Sequence, residues 1–318
     1  MKTAIITGAT GFIGSTFVNF LLNKKYKVLA LGRCKFDEIK LKRLEKNDNL
    51  IYLQIPMESI KTLKKEIRKY PFIESEGSIF YHFAWGGRSQ LSDLDVEAQL
   101  ANVFWTKEAF ETAIEIKCKK FIFVGTMEEY FAKSYLNLDH RKDNFFNRHL
   151  IYSFAKTAAR NILKLSYKPS ETDLIFATNS HVMGIKDIRD SFLQVTLKKL
   201  LNNEKLTLSK ADLFFDVISS SDCSRAYELI GKKGKSGQEY WIGSGKPRLL
   251  KTYVEIMYKM FPTNYPLKFG EFDFEDIGLE EKQFSIDELK KDTGFKPIDE
   301  FEDIVKELYI YFFSLKKN

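Results

Sequence analysis

The stretch Thr3-Ala4-Ile5-Ile6-Thr7-Gly8-Ala9-Thr10-Gly11-Phe12-Ile13-Gly14 decides the fold of this chain. Its first five residues are an apolar run that predicts a buried strand, and Phe12–Asn23 predicts the helix that follows. Gly8 permits a tight turn, Gly11 lets the backbone approach a pyrophosphate, and Gly14 lets the helix pack on the sheet. The sequence therefore predicts a dinucleotide site, in which the anion faces free N–H groups at the positive end of the helix.

Strands and helices alternate along the rest of the chain, which is the pattern of a parallel sheet covered on both faces. Further strands are predicted at Lys27–Leu31, Ile51–Ile55, Ser78–Phe83, Lys120–Val124, Asp173–Thr178 and Glu239–Ile242. Helices are predicted at Ile60–Tyr70, Val96–Ile116, Leu150–Tyr167, Ser191–Asn202, Asp222–Ile230 and Phe301–Phe313. The predicted fold class is α/β: a doubly wound parallel (Rossmann) sheet with a smaller, interleaved C-terminal substrate lobe.

No Pro/Gly/Ser linker marks a boundary between these two parts, so we expect their segments to interleave. The dinucleotide-binding Rossmann domain is predicted to span residues 1–180, with residues 212–245 returning to it. The substrate-binding lobe is predicted to contain residues 181–211 and 246–318.

Composition and charge argue against several classes of function. The net charge of +7 comes from Lys residues dispersed along the chain, which suits a solvated basic surface or a mild attraction for anionic nucleotides. No basic stripe is interleaved with aromatic residues, so nucleic acid is not expected as a partner. No apolar run reaches the ~18 residues of a membrane helix, and no Cys/His cluster has metal-ligand spacing, so neither a membrane nor a metal is expected. Cys34, Cys118 and Cys223 are predicted to be free thiols, and we expect a cytoplasmic protein.

Tyr152 and Lys156, spaced Tyr-x-x-x-Lys, are predicted to lie on one face of a helix, one turn apart. Free Tyr titrates near ~10, and a close cation lowers this pKa by roughly 1–3 units, so Tyr152 can exchange a proton near neutral pH. Thr126 follows the fifth strand, where open α/β sheets bind ligands, and can donate a hydrogen bond to a substrate carbonyl. The alternative for Thr126 is a turn cap. These three residues are the predicted catalytic set, with Lys156 also holding the nicotinamide ribose.

The end of the second strand, Val28-Leu29-Ala30-Leu31-Gly32-Arg33, bears on which cofactor binds. An acid at this position would bind the ribose hydroxyls of NAD, whereas an Arg can take the 2′-phosphate of NADP. Arg33 offers a planar fork of donors suited to phosphate. Its alternatives are stacking on the adenine or pointing to solvent, and Asp37 is too far past the strand to substitute. We therefore expect NADP (NADPH), with NAD less favoured.

These motifs resemble the extended branch of the short-chain dehydrogenase/reductases, and in particular its nucleotide-sugar-modifying group. The resemblance rests on the glycine loop, Tyr81-His82-Phe83-Ala84-Trp85, Asn102, Thr126, Tyr152 and Lys156. Further similar segments are Asp216-Val217-Ile218 with Ser221-Asp222, Ile242-Gly243-Ser244-Gly245 and Lys291-Asp292-Thr293-Gly294-Phe295-Lys296-Pro297. The predicted cofactor-binding residues are Gly8, Thr10, Gly11, Phe12, Ile13, Gly14, Arg33, Met57, Phe83, Ala84, Trp85, Asn102, Val124 and His181.

Two segments depart from the patterns of this group. The sugar-nucleotide 4,6-dehydratases that this chain resembles have Thr-Asp-Glu where it has Thr126-Met127-Glu128. Met127 cannot transfer a proton. Glu128 stands at the family's Glu position, which weakens a dehydratase without excluding it. Its alternative is a structural role, together with Glu129. His181 falls where epimerases usually have an Asn, and it either contacts the nicotinamide or substrate or is structural.

Trp85-Gly86-Gly87-Arg88 follows the fourth strand and is expected to lie over the cofactor, with two glycines that allow a ligand close to the backbone. Trp85 is predicted to wall the sugar pocket or to pack on the cofactor alone. Arg88 is predicted to reach a substrate phosphate or to lie exposed. Phe215 replaces an Arg of the family, so diphosphate contacts must come from elsewhere. The predicted substrate-binding residues are Trp85, Gly86, Gly87, Arg88, Met127, Glu128, Asn179, Arg189, Lys198 and Arg248.

The resemblance implies, as the leading hypothesis, an NADPH-dependent 4-ketoreductase of a nucleotide-linked 4-keto-6-deoxy sugar. Tyr152 would supply the proton, Thr126 would orient the oxygen and Lys156 would tune Tyr152. The alternatives are a cofactor-retaining nucleotide-sugar epimerase or 4,6-dehydratase and, among non-enzymes, an NADP-sensing protein. The resemblance also implies a homodimer through Val96–Ile116 and Leu150–Tyr167. The second of these helices carries an apolar stripe formed by Ala155, Ala158, Ala159, Ile162 and Leu163.

Overall fold

The structure is a computed structural model that describes residues 2–38, 43–87, 95–137, 139, 141, 150–167, 172–187, 189–273 and 277–315. In chain order its strands are β1 (Thr3–Thr7), β2 (Lys27–Gly32), β3 (Leu50–Gln54), β4 (Ile79–His82), β5 (Lys120–Thr126), β6 (Asp173–Asn179), β7 (His181–Met183), β8 (Phe214–Phe215), β9 (Val217–Ser219), β10 (Glu239–Ile242) and β11 (Arg248–Leu249). Its α-helices are α1 (Phe12–Asn23), α2 (Leu63–Glu66), α3 (Val96–Glu115), α4 (Glu128–Tyr135), α5 (Leu150–Ser166), α6 (Phe192–Leu201), α7 (Ser220–Lys233), α8 (Leu250–Met260), α9 (Asp287–Thr293) and α10 (Phe301–Leu315).

Within these residues, seven strands form one parallel sheet in the order β10-β6-β5-β4-β1-β2-β3. The strand order reverses between β1 and β4, and open sheets of this kind bind ligands beyond the carboxyl ends of the strands at that point. Thr7 lies opposite His82, and Thr126 lies opposite Asn179. The register therefore brings these polar residues to one edge of the sheet. The predicted α/β class with a doubly wound parallel sheet is confirmed.

Alternation along the strands fills a separate core on each face of the sheet. Ile5 packs into a core with α3 and α5, whereas its neighbours Ala4 and Ile6 pack into a core with α1 and α7. Phe121 and Phe123 of β5 join Ile5 on the α3/α5 face. Because both faces are covered, the strands are apolar throughout, and polar groups are left to the strand ends.

A third core lies outside the main sheet, where α6, α8 and α10 pack around Leu197, Met257 and Val305. Two small sheets accompany it: β7 pairs with β9, and β8 pairs with β11. The chain then returns to the main sheet, where β10 pairs with β6 and Glu239 lies opposite Phe176. The predicted boundaries of the two domains stay a prediction.

The predicted helix Ile60–Tyr70 is wrong as a continuous α-helix. Two 3-10 segments, Met57–Thr62 and Ile67–Lys69, flank the four-residue helix α2. Ser59, just before the predicted helix, has φ −113° and ψ 15°, which lies outside the helical region and interrupts the first 3-10 segment. Short 3-10 turns bring the apolar side chains of this Lys-rich segment to the core without a long helix.

Other boundaries differ more locally. Strand β5 continues to Thr126 instead of ending at Val124, so Thr126 is the last residue of the strand. Helices α4, α8 and α9 have no counterpart among the predicted helices. None of the described helices is long and apolar enough to cross a membrane. Across the same residues, no three His, Cys, Asp or Glu side chains are grouped as metal ligands.

Candidate active site

Two clefts open at the carboxyl edge of the sheet and meet at the glycine loop. The first, which we name the Tyr152 cleft, has a volume of about 260 Å³. It is lined by Gly8, Gly11, Phe12, Ile13, Gly14, Phe83, Trp85, Val124, Gly125, Thr126, Met127, Glu128, Tyr152, Lys156, Asn179, Ser180, His181, Val182 and Arg189. The second, the Arg33 cleft, has a volume of about 440 Å³. It is lined by Gly8, Thr10, Gly11, Leu31, Gly32, Arg33, Ile55, Pro56, Met57, Glu58, Phe83, Ala84, Trp85, Gly86, Gly87, Ala98 and Trp105.

The glycine loop lies where the two clefts meet. Gly8 has φ 65°, and a Cβ on it would lie 2.6 Å from the backbone nitrogen of Ala84, so only glycine fits this turn. Gly11 donates its N–H to the carbonyl of Gly8 at 3.0 Å and immediately precedes α1. No described side chain caps the start of α1. Its unpaired N–H groups and positive dipole end suit a pyrophosphate.

Lys156 is buried against the wall of the Tyr152 cleft, with 4% of its surface exposed. Its Nζ donates to the carbonyl of Val124 at 2.9 Å and lies 3.9 Å from the centre of the Trp85 ring. Burial lowers the pKa of Lys156 to about 7; the Glu129 carboxylate raises this pKa and the Arg160 cation lowers it. The ammonium of Lys156 is therefore poised to change its charge near neutral pH.

Tyr152 meets the edge of the Trp85 ring at 90°, with 6.1 Å between ring centres. Burial raises the pKa of Tyr152, and the carboxylates of Glu128 and Glu129 raise it further. A hydrogen bond with Thr126 acts in the opposite direction. The pKa of Tyr152 is thus raised, not lowered as the Tyr-x-x-x-Lys spacing predicts, and the phenol holds its proton at neutral pH. The predicted catalytic residues Thr126, Tyr152 and Lys156 come together in this one cleft.

The loop after β4 is tied to helix α3. The indole N–H of Trp85 donates to Gln99 at 2.7 Å. Asn102 accepts the N–H of Gly86 at 2.6 Å and donates to its carbonyl at 3.0 Å. Asn102 is predicted to bind the cofactor, but it is 2% exposed and stands behind the loop without lining either cleft. Its contacts position Gly86 at the Arg33 cleft.

Burial keeps two histidines near the Tyr152 cleft uncharged at neutral pH. His82 lies between the hydroxyls of Thr7 (3.0 Å) and Thr106 (3.1 Å), and burial lowers its pKa to about 3. His181 lines the Tyr152 cleft beside the ring of Phe215, and burial lowers its pKa to about 4. The Nε2 atom of His181 has no hydrogen-bond partner among the described residues. At neutral pH both rings act as hydrogen-bonding groups without charge.

Arg189, predicted to contact a substrate phosphate, reaches the Tyr152 cleft. Its guanidinium pairs with both oxygens of Asp187, at 2.8 and 2.7 Å, and lies 5.4 Å from the centre of the Phe12 ring. Phe12 is the first residue of α1. Arg189 therefore places a cation next to the helix start, and its charge lowers the pKa of Tyr152.

Arg33 and Met57 line the second cleft together with Thr10 and Ala84, all four of which are predicted cofactor contacts. The side chain of Arg33 is exposed, so its donors are accessible to a ligand. The carbonyl of the same residue accepts a hydrogen bond from Gln54 at 3.1 Å, which fixes the main chain there.

Among the remaining predicted substrate residues, Met127, Glu128 and Asn179 line the Tyr152 cleft, whereas Gly86 and Gly87 line the Arg33 cleft. The amide oxygen of Asn179 accepts the hydroxyl of Tyr227 at 2.8 Å, which ties it to α7. The sequence predicts these residues at one site, and the structure distributes them over both clefts.

Lys198 and Arg248 do not line either cleft. Lys198 forms an exposed ion pair with Asp190 at 3.0 Å. Arg248 lies 3.9 Å from Glu300 and lines a separate cavity of about 320 Å³. Arg88 lies outside the described residues. Of the predicted contacts to a substrate phosphate that lie within the described residues, Arg189 alone lines one of the two clefts.

Two residues that the sequence-based prediction omits also bear on the site. Arg43 donates to the carbonyls of Thr10 (3.1 Å) and Lys186 (2.8 Å), and so ties the glycine loop to the segment after β7. Arg160 is buried and hydrogen-bonds to Glu129. Carbonyl acceptors carry no residue-specific signal, so Arg43 is invisible in the sequence. Arg160 has one signal, since it follows Lys156 by one helical turn.

Comparisons with known proteins identify the family of the chain. The NAD dependent epimerase/dehydratase family matches residues 4–243. A dTDP-D-glucose 4,6-dehydratase of Dictyostelium discoideum is 25% identical over 77% of this chain, and the alignment spans only 58% of that relative's length. The CDP-abequose synthase of Salmonella muenchen is 24% identical over 86% of each chain.

Solved structures resemble the whole chain. A dTDP-glucose 4,6-dehydratase from Bacillus anthracis, in complex with NAD, has a TM-score of 0.78 at 18% identity and covers 100% of this chain and 98% of its own. A UDP-glucose 4-epimerase from Thermotoga maritima, with UDP-glucose, has a TM-score of 0.75 at 18% identity, with 99% of each chain covered. At these identities the likeness establishes the fold.

A dinucleotide groove at a helix start, with Thr126, Tyr152 and Lys156 gathered beside it, defines an NAD(P)-dependent oxidoreductase of the extended short-chain dehydrogenase/reductase class. Within that class, the chain belongs to the NAD dependent epimerase/dehydratase family. The resemblance to nucleotide-sugar-modifying enzymes, seen first in its motifs, is confirmed.

Proposed function

We propose that the chain is an NADPH-dependent 4-ketoreductase of a nucleotide-linked 4-keto-6-deoxy sugar. The observation that carries this proposal is Met127, which lines the Tyr152 cleft between Thr126 and Glu128, at the position where a 4,6-dehydratase would have an acid. Reduction of a ketone needs a proton donor at its oxygen, whereas an enzyme that first oxidises its sugar needs a base there. Burial and the acids of α4 keep Tyr152 in the donor form. Met127 lines the same cleft and has no proton to transfer.

A bound nicotinamide would supply the hydride. In this proposal Tyr152 gives its proton to the oxygen of the substrate carbonyl, and Thr126 donates a second hydrogen bond that orients that oxygen. Lys156 stabilises the phenolate that remains and binds the ribose hydroxyls. The Trp85 ring, 3.9 Å from Nζ of Lys156, shields this ammonium on one side. Orientation of the reacting groups supplies much of the rate enhancement.

Two cations favour a dinucleotide in this groove. Arg189 lies beside the start of α1, where a pyrophosphate would be bound, and Arg33 lies exposed at the end of β2. We propose NADP as the cofactor because Arg33 replaces the acid that would select NAD. Similar structures were determined with NAD, so Arg33 is the position at which this chain would differ from them.

The names of the relatives support a nucleotide-linked sugar as the substrate. Similar structures contain UDP-glucose, or UDP-glucuronic acid with NAD. We place the sugar in the Tyr152 cleft, where Arg189 is a candidate for a phosphate contact and the neutral ring of His181 for a sugar hydroxyl. A buried polar group without a partner favours a ligand that completes its hydrogen bonds.

Glu128 favours a second candidate, a cofactor-retaining 4,6-dehydratase or epimerase. Glu128 is 7% exposed and lines the same cleft as Tyr152. In a dehydratase this carboxyl group would take part in the elimination of water. The Dictyostelium relative carries a 4,6-dehydratase name.

Consumption of NADPH decides between the two candidates. A reductase given a nucleotide-linked 4-keto-6-deoxy sugar should consume one NADPH per product, and Glu128→Gln should leave most of this activity. The matched control is Glu58→Gln, which removes an acid from the Arg33 cleft. If nucleotide hexoses with an intact 6-hydroxyl lose water without net use of NADPH, and Glu128→Gln stops this reaction, the dehydratase candidate replaces the reductase.

We also propose a two-fold dimer through α3 and α5. The stripe predicted on α5 is a poor reason for it, because three members are buried in the chain's own core: Ala155, Ala159 and Leu163, at 3%, 1% and 0% exposure. A row of exposed apolar residues along one helix face lies on α3 instead. Val96, Leu100 and Phe104 follow the i, i+4, i+8 spacing of one helix face, and Phe104 is 67% exposed. Such a stripe suits a self-complementary interface.

A further inference from the structure

Behind the Tyr152 cleft lies a buried ion pair between Glu129 of α4 and Arg160 of α5. The Arg160 Nε donates to Glu129 Oε2 at 2.5 Å, and Nη2 donates to Oε1 at 3.1 Å. The two side chains are 3% and 7% exposed. Arg160 also donates to Thr178 of β6 at 2.9 Å and to Glu239 of β10 at 2.8 Å. One guanidinium thus connects two helices with two strands of the sheet.

The same pair is in contact with the predicted catalytic set. The Thr126 N–H donates to Glu129 Oε1 at 2.8 Å, so the carboxylate holds the main chain that carries the Thr126 hydroxyl. Tyr152, Lys156 and Arg160 are spaced i, i+4 and i+8 on α5 and therefore lie along one face of the helix. A fixed cation thus stands one turn from Lys156.

Gly125 provides the space for this pair. A Cβ on Gly125 would lie 2.3 Å from Nη2 of Arg160 and 2.6 Å from Oε1 of Glu129. Either contact would displace a charged atom of a buried side chain. Glycine at position 125 therefore leaves the room that the ion pair occupies.

We propose that Glu129 and Arg160 are a pair of positioning residues: Glu129 holds the main chain at Thr126 and offsets the charge that Arg160 places one helical turn from Lys156. Glu129 thus has a function beyond the structural role that its sequence position suggests. The proposal rests on the proposed role of Lys156 in holding the nicotinamide ribose, and it does not depend on which sugar is the substrate.

The electrostatics of the cleft are consistent with this division of roles. Burial lowers the pKa of Lys156 to about 7, Glu129 raises it and Arg160 lowers it. The charges that act on Lys156 are those of Glu129 and Arg160, and the charges that act on Tyr152 are those of Glu128, Glu129 and Arg189. His82 of β4 also faces Lys156, whose charge lowers the pKa of that histidine. Without Glu129, the buried guanidinium beside Lys156 would keep only Glu239 as an acidic partner, so less of its charge would be offset and Lys156 would lose its proton at a lower pH.

The test is the affinity for NADPH and for NADH, titrated by fluorescence from pH 5.5 to pH 9. Affinity of the unmodified enzyme should fall as the pH rises through the pKa of Lys156, and Lys156→Met should abolish this step. Glu129→Gln should move the midpoint down by about one pH unit, the low end of the effect of a nearby charge. Arg160→Gln should move the midpoint up. The double variant Glu129→Gln/Arg160→Gln should return it close to the unmodified value.

A purely structural pair would weaken binding at every pH and leave the midpoint in place, and that result would overturn the proposal. Shifts of Glu129→Gln and Arg160→Gln in the same direction would overturn it as well, as would a pH step that persists in Lys156→Met. Should Glu129→Gln fail to fold, Arg160→Lys decides: it keeps the cation and so keeps the midpoint, while Arg160→Gln shifts it. Consumption of NADPH at one pH tests the proposed reductase activity separately. A failure of the positioning proposal can therefore be distinguished from a failure of the proposed function.

Discussion

Charged residues are buried at the carboxyl edge of the sheet but accessible beside the core formed by α6, α8 and α10. At the sheet edge, Lys156 and Arg160 are buried, and each is held by groups from other strands or helices. Beside the other core, Lys198 and Arg248 remain accessible and face surface acids. Removing one partner of a buried pair costs about 3–5 kcal/mol, whereas an exposed pair contributes about 0–1 kcal/mol. We therefore expect substitutions of charged residues to be tolerated less at the sheet edge than beside the other core.

The largest effect expected from this contrast is at Tyr152. Tyr152→Phe should lower turnover by roughly 10²–10⁴-fold, because only the proton donor is lost, while cofactor affinity stays nearly unchanged. Lys198→Ala, the matched change outside the sheet, should leave turnover within about twofold. Steady-state rates with NADPH and a nucleotide-linked 4-keto sugar measure both. Equal losses in the two variants would break the contrast.

The next effect is in cofactor choice. Arg33→Asp should weaken NADPH binding by roughly 10–100-fold and change NADH binding little, because a charge-assisted phosphate contact becomes a repulsion. Fluorescence titration with both cofactors measures this, and Arg68→Asp, a change outside both clefts, is the control. If the unmodified protein binds the two cofactors equally well, the NADP proposal is wrong.

A third effect is expected on the oligomeric state, through the exposed apolar row on α3. Phe104→Glu should convert a dimer to a monomer at micromolar concentration, because it would place a carboxylate in an apolar interface. Lys198→Glu, a charge change at an exposed position of α6, should leave the mass unaltered. Light scattering reports both results. A monomer mass for the unmodified protein would refute the proposed dimer before any variant is made.

The smallest effect is on stability at the sheet edge. The pKa of His82 is about 3 in the folded chain and 6.5 as an ordinary His, so the unfolded chain takes up a proton that the folded chain excludes. The stabilisation is fully present above pH 6.5 and is lost as the pH falls towards 3, by up to about 1.4 kcal/mol per pH unit. His82→Asn should therefore reduce the fall of Tm between pH 6.5 and 4.5. An unchanged slope would show that His82 is not the group responsible.

The same contrast explains how much the sequence could predict. The glycine loop, Tyr152 and Lys156 are predictable because their spacing along one strand–turn–helix unit or one helix fixes where they lie. Lys198 and Arg248 have no such local constraint, and the partners they find depend on packing between distant segments. Glu129 and Arg160 fall between these cases. Their helical positions are readable in part, but their pairing requires β5, α4 and α5 to be assembled.

Helix α2 and its flanking 3-10 turns illustrate the limit of periodicity. The Lys-rich stretch has apolar residues at roughly helical intervals, which predicts a continuous helix. The structure keeps those side chains buried with three short turns instead. Patterns of burial are thus more predictable than the backbone geometry that satisfies them.

The late position of β10 in the sequence also determines the order in which parts of the site can form during synthesis. A ribosome adds roughly 5–20 residues per second, and the N-terminal parts of a chain can fold first. The glycine loop and β1 to β6 are complete in sequence by Asn179, but Glu239, which binds Arg160, is made sixty residues later, after α6 and α7. During synthesis the nascent chain can therefore form its phosphate-binding turn well before the guanidinium behind the Tyr152 cleft has its last partner.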